Sequence, residues 1–128
     1  MARQPEAKFY SSINALIPSS IYKEKMHNVY SGGTPDVWYS GIFSDLWVEY
    51  KWIAQTPTRA FTPNLSALQL KWIKGRSAEG RTIAVIVGCP DGGYILDDPS
   101  QWGVQIECST VRLYSKKEIA EWITNVCT

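Results

Sequence analysis

A single histidine, His27, and three scattered cysteines, Cys89, Cys108 and Cys127, are all that this 128-residue chain offers a soft or borderline metal. One imidazole excludes a zinc hydrolase built on several histidines. Cysteines that are odd in number and lack metal-ligand spacing exclude a zinc ribbon and a disulfide framework, and fit a reduced, cytoplasmic setting. Long apolar runs are missing too. None approaches the roughly 18 residues of a membrane span, so no membrane partner is expected. The opening Met1-Ala2-Arg3-Gln4-Pro5-Glu6 lacks the apolar core of a signal peptide. A net charge of only +1 excludes attachment to nucleic acid by bulk charge alone. No repeat, low-complexity tract or linker divides the chain, and its length fits one domain over residues 1–128.

What the chain does have is an aspartate behind a proline, Pro35-Asp36, followed by the triplet Glu49-Tyr50-Lys51. Side chains on a strand alternate sides, so Glu49 and Lys51 share one face while Val48, Tyr50 and Trp52 share the other. A hairpin over 36–40 and 46–52, centred near Phe43, sets Asp36 opposite Tyr50 and close to Glu49 and Lys51. Two carboxylates and an amine on a strand pair are what metal-assisted phosphodiester hydrolysis requires. The acids hold a hard divalent cation, which polarises phosphate and water, and the ammonium supports the attacking hydroxide or the developing charge. The plainer reading is an ordinary hairpin with a turn aspartate and a solvated Glu/Lys face.

Pro35-Asp36 … Glu49-x-Lys51 resembles the signature of the PD-(D/E)XK nuclease superfamily. The context Gly33-Thr34-Pro35-Asp36-Val37 and the later segment Thr62-Pro63-Asn64-Leu65-Ser66-Ala67-Leu68-Gln69-Leu70-Lys71-Trp72 are similar to its small VRR-NUC and Holliday-junction-resolvase-like branch, whose compact members phages often encode. The resemblance implies an α/β restriction-endonuclease-like core, a central mixed β-sheet flanked by helices. It implies a Mg2+- or Mn2+-dependent DNA endonuclease, junction- or branch-directed, with Asp36, Glu49 and Lys51 catalytic. The metal would be held by Asp36, Glu49 and the carbonyl of Tyr50, with Glu6 on the first helix joining through water. Relatives place a glutamine near the site, which points to Gln69 as a further catalytic residue; a boundary glutamine bonding backbone is the alternative. A symmetric homodimer is one way for so small a chain to cut two strands. The competing reading is a catalytically inactive module of the same fold that binds nucleic acid or a partner protein.

The remaining pattern supplies the frame. Residues 5–17 read as a helix with Glu6, Phe9, Ile13, Leu16 and Ile17 on one stripe, so Glu6 lies on the apolar side. Residues 21–30 read as extended, with Lys25 and His27 on one side just before Pro35-Asp36, where they would meet a DNA phosphate. Residues 53–61 read as a linker. Thr62 is then expected to cap a helix begun by Pro63, with Leu65, Leu68, Trp72 and Ile73 inward and an end near Gly80. The continuous apolar run 81–88 predicts a strand covered on both faces, reached from 46–52 by a βαβ crossover. Tyr94-Ile95-Leu96 predicts a short strand, and Ser115-Lys116-Lys117-Glu118 a capping box opening a last helix. Trp72 and Trp122 are assigned to the core. Trp38, Trp47, Trp52 and Trp102 are left on strands or loops, where one could stack on a base or line a dimer interface.

Overall fold

The computed structural model describes residues 5–26 and 32–128. Helix α1 (Pro5–Asn14) is followed by β1 (Tyr22–Lys25), β2 (Val37–Ser40) and β3 (Asp45–Trp52). After the short β4 (Ala60–Phe61) come α2 (Ala67–Ala78), β5 (Ile83–Cys89) and β6 (Gly92–Leu96). A two-residue β7 (Ile106–Glu107) and α3 (Lys116–Cys127) complete the chain. The main sheet has the order β1-β2-β3-β5-β6, and the β3–β5 pair is parallel while its neighbours are antiparallel. That parallel pair needs a crossover, and α2 supplies it. Every residue of β5 is buried, as its unbroken apolar run requires of a central strand.

Two cores lie on opposite faces of the sheet. On one face Val37, Tyr39, Leu46, Val48 and Tyr50 pack with Phe9 and Ile13 of α1 and Ile119 and Ile123 of α3. On the other, Val85, Val87 and Leu96 pack with Ile73 of α2, Phe61, Trp102 and Ile106. Gly88 is what lets α1 approach so closely. A Cβ there would stand 2.6 Å from the Phe9 ring, so any larger residue would push α1, and Glu6 with it, away from the sheet.

Several expectations are corrected. Val37 pairs with Val48 and Trp38 with Trp47, so the β2–β3 register is one residue off the expected one, and its continuation sets Asp36 against Glu49 rather than Tyr50. The cause is the turn. The N–H groups of Phe43 and Ser44 both donate to the carbonyl of Cys127, at 2.9 and 3.2 Å, and a Cβ on Gly41 would meet that oxygen at 2.5 Å. Helix α1 stops at Asn14, which leaves Leu16 exposed. The linker 53–61 contains β4, paired with β7. Helix α2 is capped by Ser66, not Thr62: Ser66 Oγ accepts from the Gln69 N–H at 3.1 Å, and Gln69 Oε1 accepts from the Ser66 N–H at 2.9 Å. Leu68 is therefore turned to solvent. Trp102 is fully buried, its indole N–H donating to the Leu96 carbonyl at 2.9 Å, so it is neither a stacking platform nor an interface residue. The capping box at Ser115 and Glu118 forms as expected.

Candidate active site

The period of two along β3 sends Val48 and Tyr50 into the first core and Glu49 and Lys51 toward α2. Glu49 is the fully buried charged side chain among the described residues, at 2% exposure. A buried carboxylate needs partners, and one of its oxygens has two. Glu49 Oε2 accepts from Gln69 Nε2 at 3.0 Å and faces Lys51 Nζ at 3.4 Å. The other oxygen, Oε1, is buried and finds no nitrogen or hydroxyl donor among the described residues. Burial, reinforced by the Asp36 charge and by a hydrogen bond shared with the Asp36 carboxyl, pushes the Glu49 carboxyl up to about 8, with the Lys51 ammonium opposing the shift, so that without a cation Glu49 keeps its proton at neutral pH.

Asp36 stands just before β2, where its Oδ2 accepts from the backbone N–H of Tyr50 at 2.9 Å. Proline at 35 favours an extended entry to the strand, and this bond ties the Asp36 carboxylate to the middle of the Glu49-Tyr50-Lys51 triplet. Lys51 donates to Gln69 Oε1 at 3.1 Å, so both functional groups of the Gln69 amide are engaged. Gln69 therefore bonds backbone as part of the cap and also bridges Glu49 and Lys51.

Glu6, on the first turn of α1, opens onto a cavity of about 420 Å³ that it shares with Tyr10, Lys25, Asp36, Tyr50 and Trp52. Burial first, and then Asp36, raise the Glu6 carboxyl above its ordinary range, while Lys51 and Lys25 pull it back. Glu6 also lines another cavity, of about 320 Å³, with Lys51, Thr62 and Asn64. Lys25 Nζ sits 4.9 Å over the Tyr10 ring, a cation–π contact that keeps the ammonium at the mouth of the first cavity. His27 lies outside the described residues. The structure therefore brings together Asp36, Glu49, Lys51 and Gln69, with Tyr50, Glu6 and Lys25 around them.

Sequence reasoning missed the polar lining behind Asp36. The Tyr39 hydroxyl donates to Asn14 Oδ1 at 2.6 Å and meets the Tyr50 hydroxyl at 2.6 Å inside the first core. Only the strand period marks Tyr39 as inward, and nothing local marks Asn14. Ser66 was legible: Ser-x-x-Gln is a capping-box spacing, outweighed by the equally good local signal of Thr62-Pro63.

The donor set fits a hard divalent cation in kind. Its members are oxygens, and the Glu49 Oε1 atom is a buried acceptor with no donor of its own. Among the described residues, no three Asp, Glu, His or Cys side chains gather at metal-holding spacing, so Asp36 and Glu49 form a pair, with Glu6 across the cavity rather than a third member.

No protein-family model matches the chain, and no curated protein matches it in sequence. Among solved structures it is similar to Hjc, a Holliday junction resolvase from the archaeal hyperthermophile Archaeoglobus fulgidus, with a TM-score of 0.57. The match covers 92% of this chain and 97% of that one at 14% sequence identity. At that identity the likeness is one of fold. The chain has a restriction-endonuclease-like fold, a five-stranded mixed sheet flanked by helices, as its sequence leads one to expect.

Proposed function

We propose that this chain is a single-domain, divalent-metal-dependent DNA endonuclease that hydrolyses phosphodiester bonds, directed to branched DNA. The observation that carries this reading is Glu49: a buried carboxylate with one oxygen saturated by Gln69 and Lys51 and the other left without a donor, on a strand facing Asp36. For structure alone this is a poor arrangement, because the Asp36 and Glu49 carboxyl groups face each other and one must keep a proton to avoid like-charge repulsion. For a cation it is a ready half-site.

Asp36 and Glu49, with the carbonyl of Tyr50, would hold Mg2+ or Mn2+, which supplies Lewis-acid polarisation of the phosphate and an acidified water when bound. Lys51, held at 3.1 Å by Gln69 Oε1, aims its ammonium toward that centre, where it positions the attacking water or steadies the charge of the pentavalent phosphorus. Gln69 keeps Lys51 and Glu49 apart in role. Glu6 contributes from across the cavity through water. Lys25 at the cavity mouth takes a flanking DNA phosphate, and His27 is proposed to do the same.

Branched DNA is the preferred substrate because the similar fold is that of a Holliday junction resolvase, and a homodimer would give one site per strand. The test is a cleavage panel with a four-way junction, a flap, single strands and linear duplex, in Mg2+, in Mn2+ and in chelator. Cleavage only with metal, and fastest on the junction, is expected. No cleavage under any condition would leave an inactive nucleic-acid-binding module of this fold.

A further inference from the structure

Three N-terminal capping boxes occur among the described residues: Asp98 with Gln101, Ser66 with Gln69, and Ser115 with Glu118. The two that open α-helices are alike in geometry. The cap hydroxyl accepts from the backbone N–H three residues on at 3.1 Å in both, and the returning side-chain bond is 2.9 Å in both. They differ in what the third-position side chain does with its remaining atoms. Glu118 spends them on an exposed contact with Arg112. Gln69 spends them on Glu49 and Lys51.

That difference explains why the third position of α2 carries an amide. It must offer a donor to an anion and an acceptor to a cation at once, and of the two side chains that close a capping box, glutamate and glutamine, only the amide does both. A glutamate there would cap the helix as well but would bring another negative charge against Glu49. An amide has a second orientation, related by a half-turn, that would present oxygen to the Glu49 carboxylate and nitrogen to the Lys51 ammonium. The Ser66 N–H blocks it, because that donor requires Oε1. With Oε1 fixed toward Ser66 and Lys51, Nε2 is left for Glu49 Oε2, and Glu49 Oε1 remains the oxygen free for a cation.

We propose that Ser66 is a positioning residue of the cleavage centre, acting through the Gln69 amide to orient Lys51 and Glu49. This rests on the reading of Asp36, Glu49 and Lys51 as cleavage residues. Ser66 touches neither substrate nor metal. Its hydroxyl, by holding the Gln69 backbone, keeps the first turn of α2 where the Ser66 N–H meets the Gln69 side chain; every substitution tested at 66 keeps that N–H, so Ser66→Ala removes the hydroxyl's hold on its position and not the donor itself.

The experiment compares Ser66→Ala, Ser66→Gly and Ser66→Thr with Ser115→Ala, which removes the matching cap far from the site. Junction cleavage in Mn2+ and the side-chain amide proton exchange of Gln69, read by NMR on metal-free protein, are measured on each. Ser66→Ala and Ser66→Gly should lower kcat about 10–100-fold, the usual cost of losing an outer support, with KM for the junction unchanged. Both should also speed exchange of the Gln69 Nε2 protons. Ser66→Thr, still cap-competent, should restore both readouts, and Ser115→Ala should leave both at wild-type values despite losing an equal cap. Wild-type kcat and exchange in Ser66→Ala, or equal losses in Ser115→Ala, would overturn the inference alone. Wild-type protein that cleaves nothing would overturn the proposed function and this role with it.

Discussion

Strand β3 has two faces that are both covered, and they are covered in opposite ways. Leu46, Val48 and Tyr50 enter an apolar core between α1 and α3, each at 1% exposure or less. One residue over, Trp47, Glu49 and Lys51 turn toward α2, where the Gln69 amide and the Lys51 ammonium both meet one oxygen of a buried carboxyl and leave the other without a nitrogen donor among the described residues. The first face is apolar packing apart from the chain of contacts from Asn14 through the Tyr39 hydroxyl to the Tyr50 hydroxyl. The second is short of hydrogen bonds and rich in charge coupling, the combination expected where stability is given up for chemistry. One face of β3 secures the folded state, and the other carries the residues proposed for cleavage.

Substitutions on the two faces should therefore separate. Asp36→Asn, Glu49→Gln and Lys51→Ala should each lower cleavage by at least ~10²-fold, the scale of losing one transition-state stabiliser, with the fold retained by circular dichroism. The two acid changes should also weaken metal binding, and Lys51→Ala should not. Full activity in any two of the three would remove the distinction between the faces. On the other face, Leu46→Ala should cost about 2–5 kcal/mol of stability by denaturant unfolding. Its cleavage rate per folded molecule should stay near wild type, since Leu46 lies at the turn end of β3.

How much of this was legible in the sequence follows the same division. Alternation along β3, the buried run of β5 and the Ser115 capping box are local patterns, and each appears in the structure where its residues put it. So does the gathering of Asp36, Glu49 and Lys51, because strand pairing and the period of two bring them together whatever the turn does in detail. The register was not legible, since it is set by the Cys127 carbonyl, more than eighty residues downstream of Phe43 in the chain. Nor was the cap of α2. Thr62-Pro63 and Ser66 offer equal local signals, and the choice falls to Ser66 through the bonds of Gln69 to Glu49 and Lys51. Trp102 shows the same limit: its burial depends on the Leu96 carbonyl that receives its N–H.

Smaller effects sharpen the comparison at its edge. Glu6→Gln should lower turnover without unfolding the chain, and raising Mn2+ should restore part of it. If Glu6 only complements the positive end of α1, the substitution costs about 0.3–1 kcal/mol of stability and no turnover. Lys25→Glu should weaken junction binding measured in Ca2+ and reduce the salt slope by about one unit, one phosphate contact's share. A slope identical to wild type would move the DNA path away from the cavity mouth.

The most direct test of a metal-holding face on β3 is thermal unfolding of wild type and Glu49→Gln across pH, with and without Mn2+. Because the Glu49 carboxyl is raised in the folded state from 4.5 to about 8, its contribution to stability is fully present below pH 4.5 and is lost as pH rises through about 8. Metal-free wild type should therefore lose stability relative to Glu49→Gln across that window. A cation bound to the ionised carboxylate should reverse the loss by mass action. We expect Mn2+ near pH 8 to raise the wild-type unfolding temperature and to leave Glu49→Gln unchanged. An equal Mn2+ shift in both proteins, or none in either, would contradict the account.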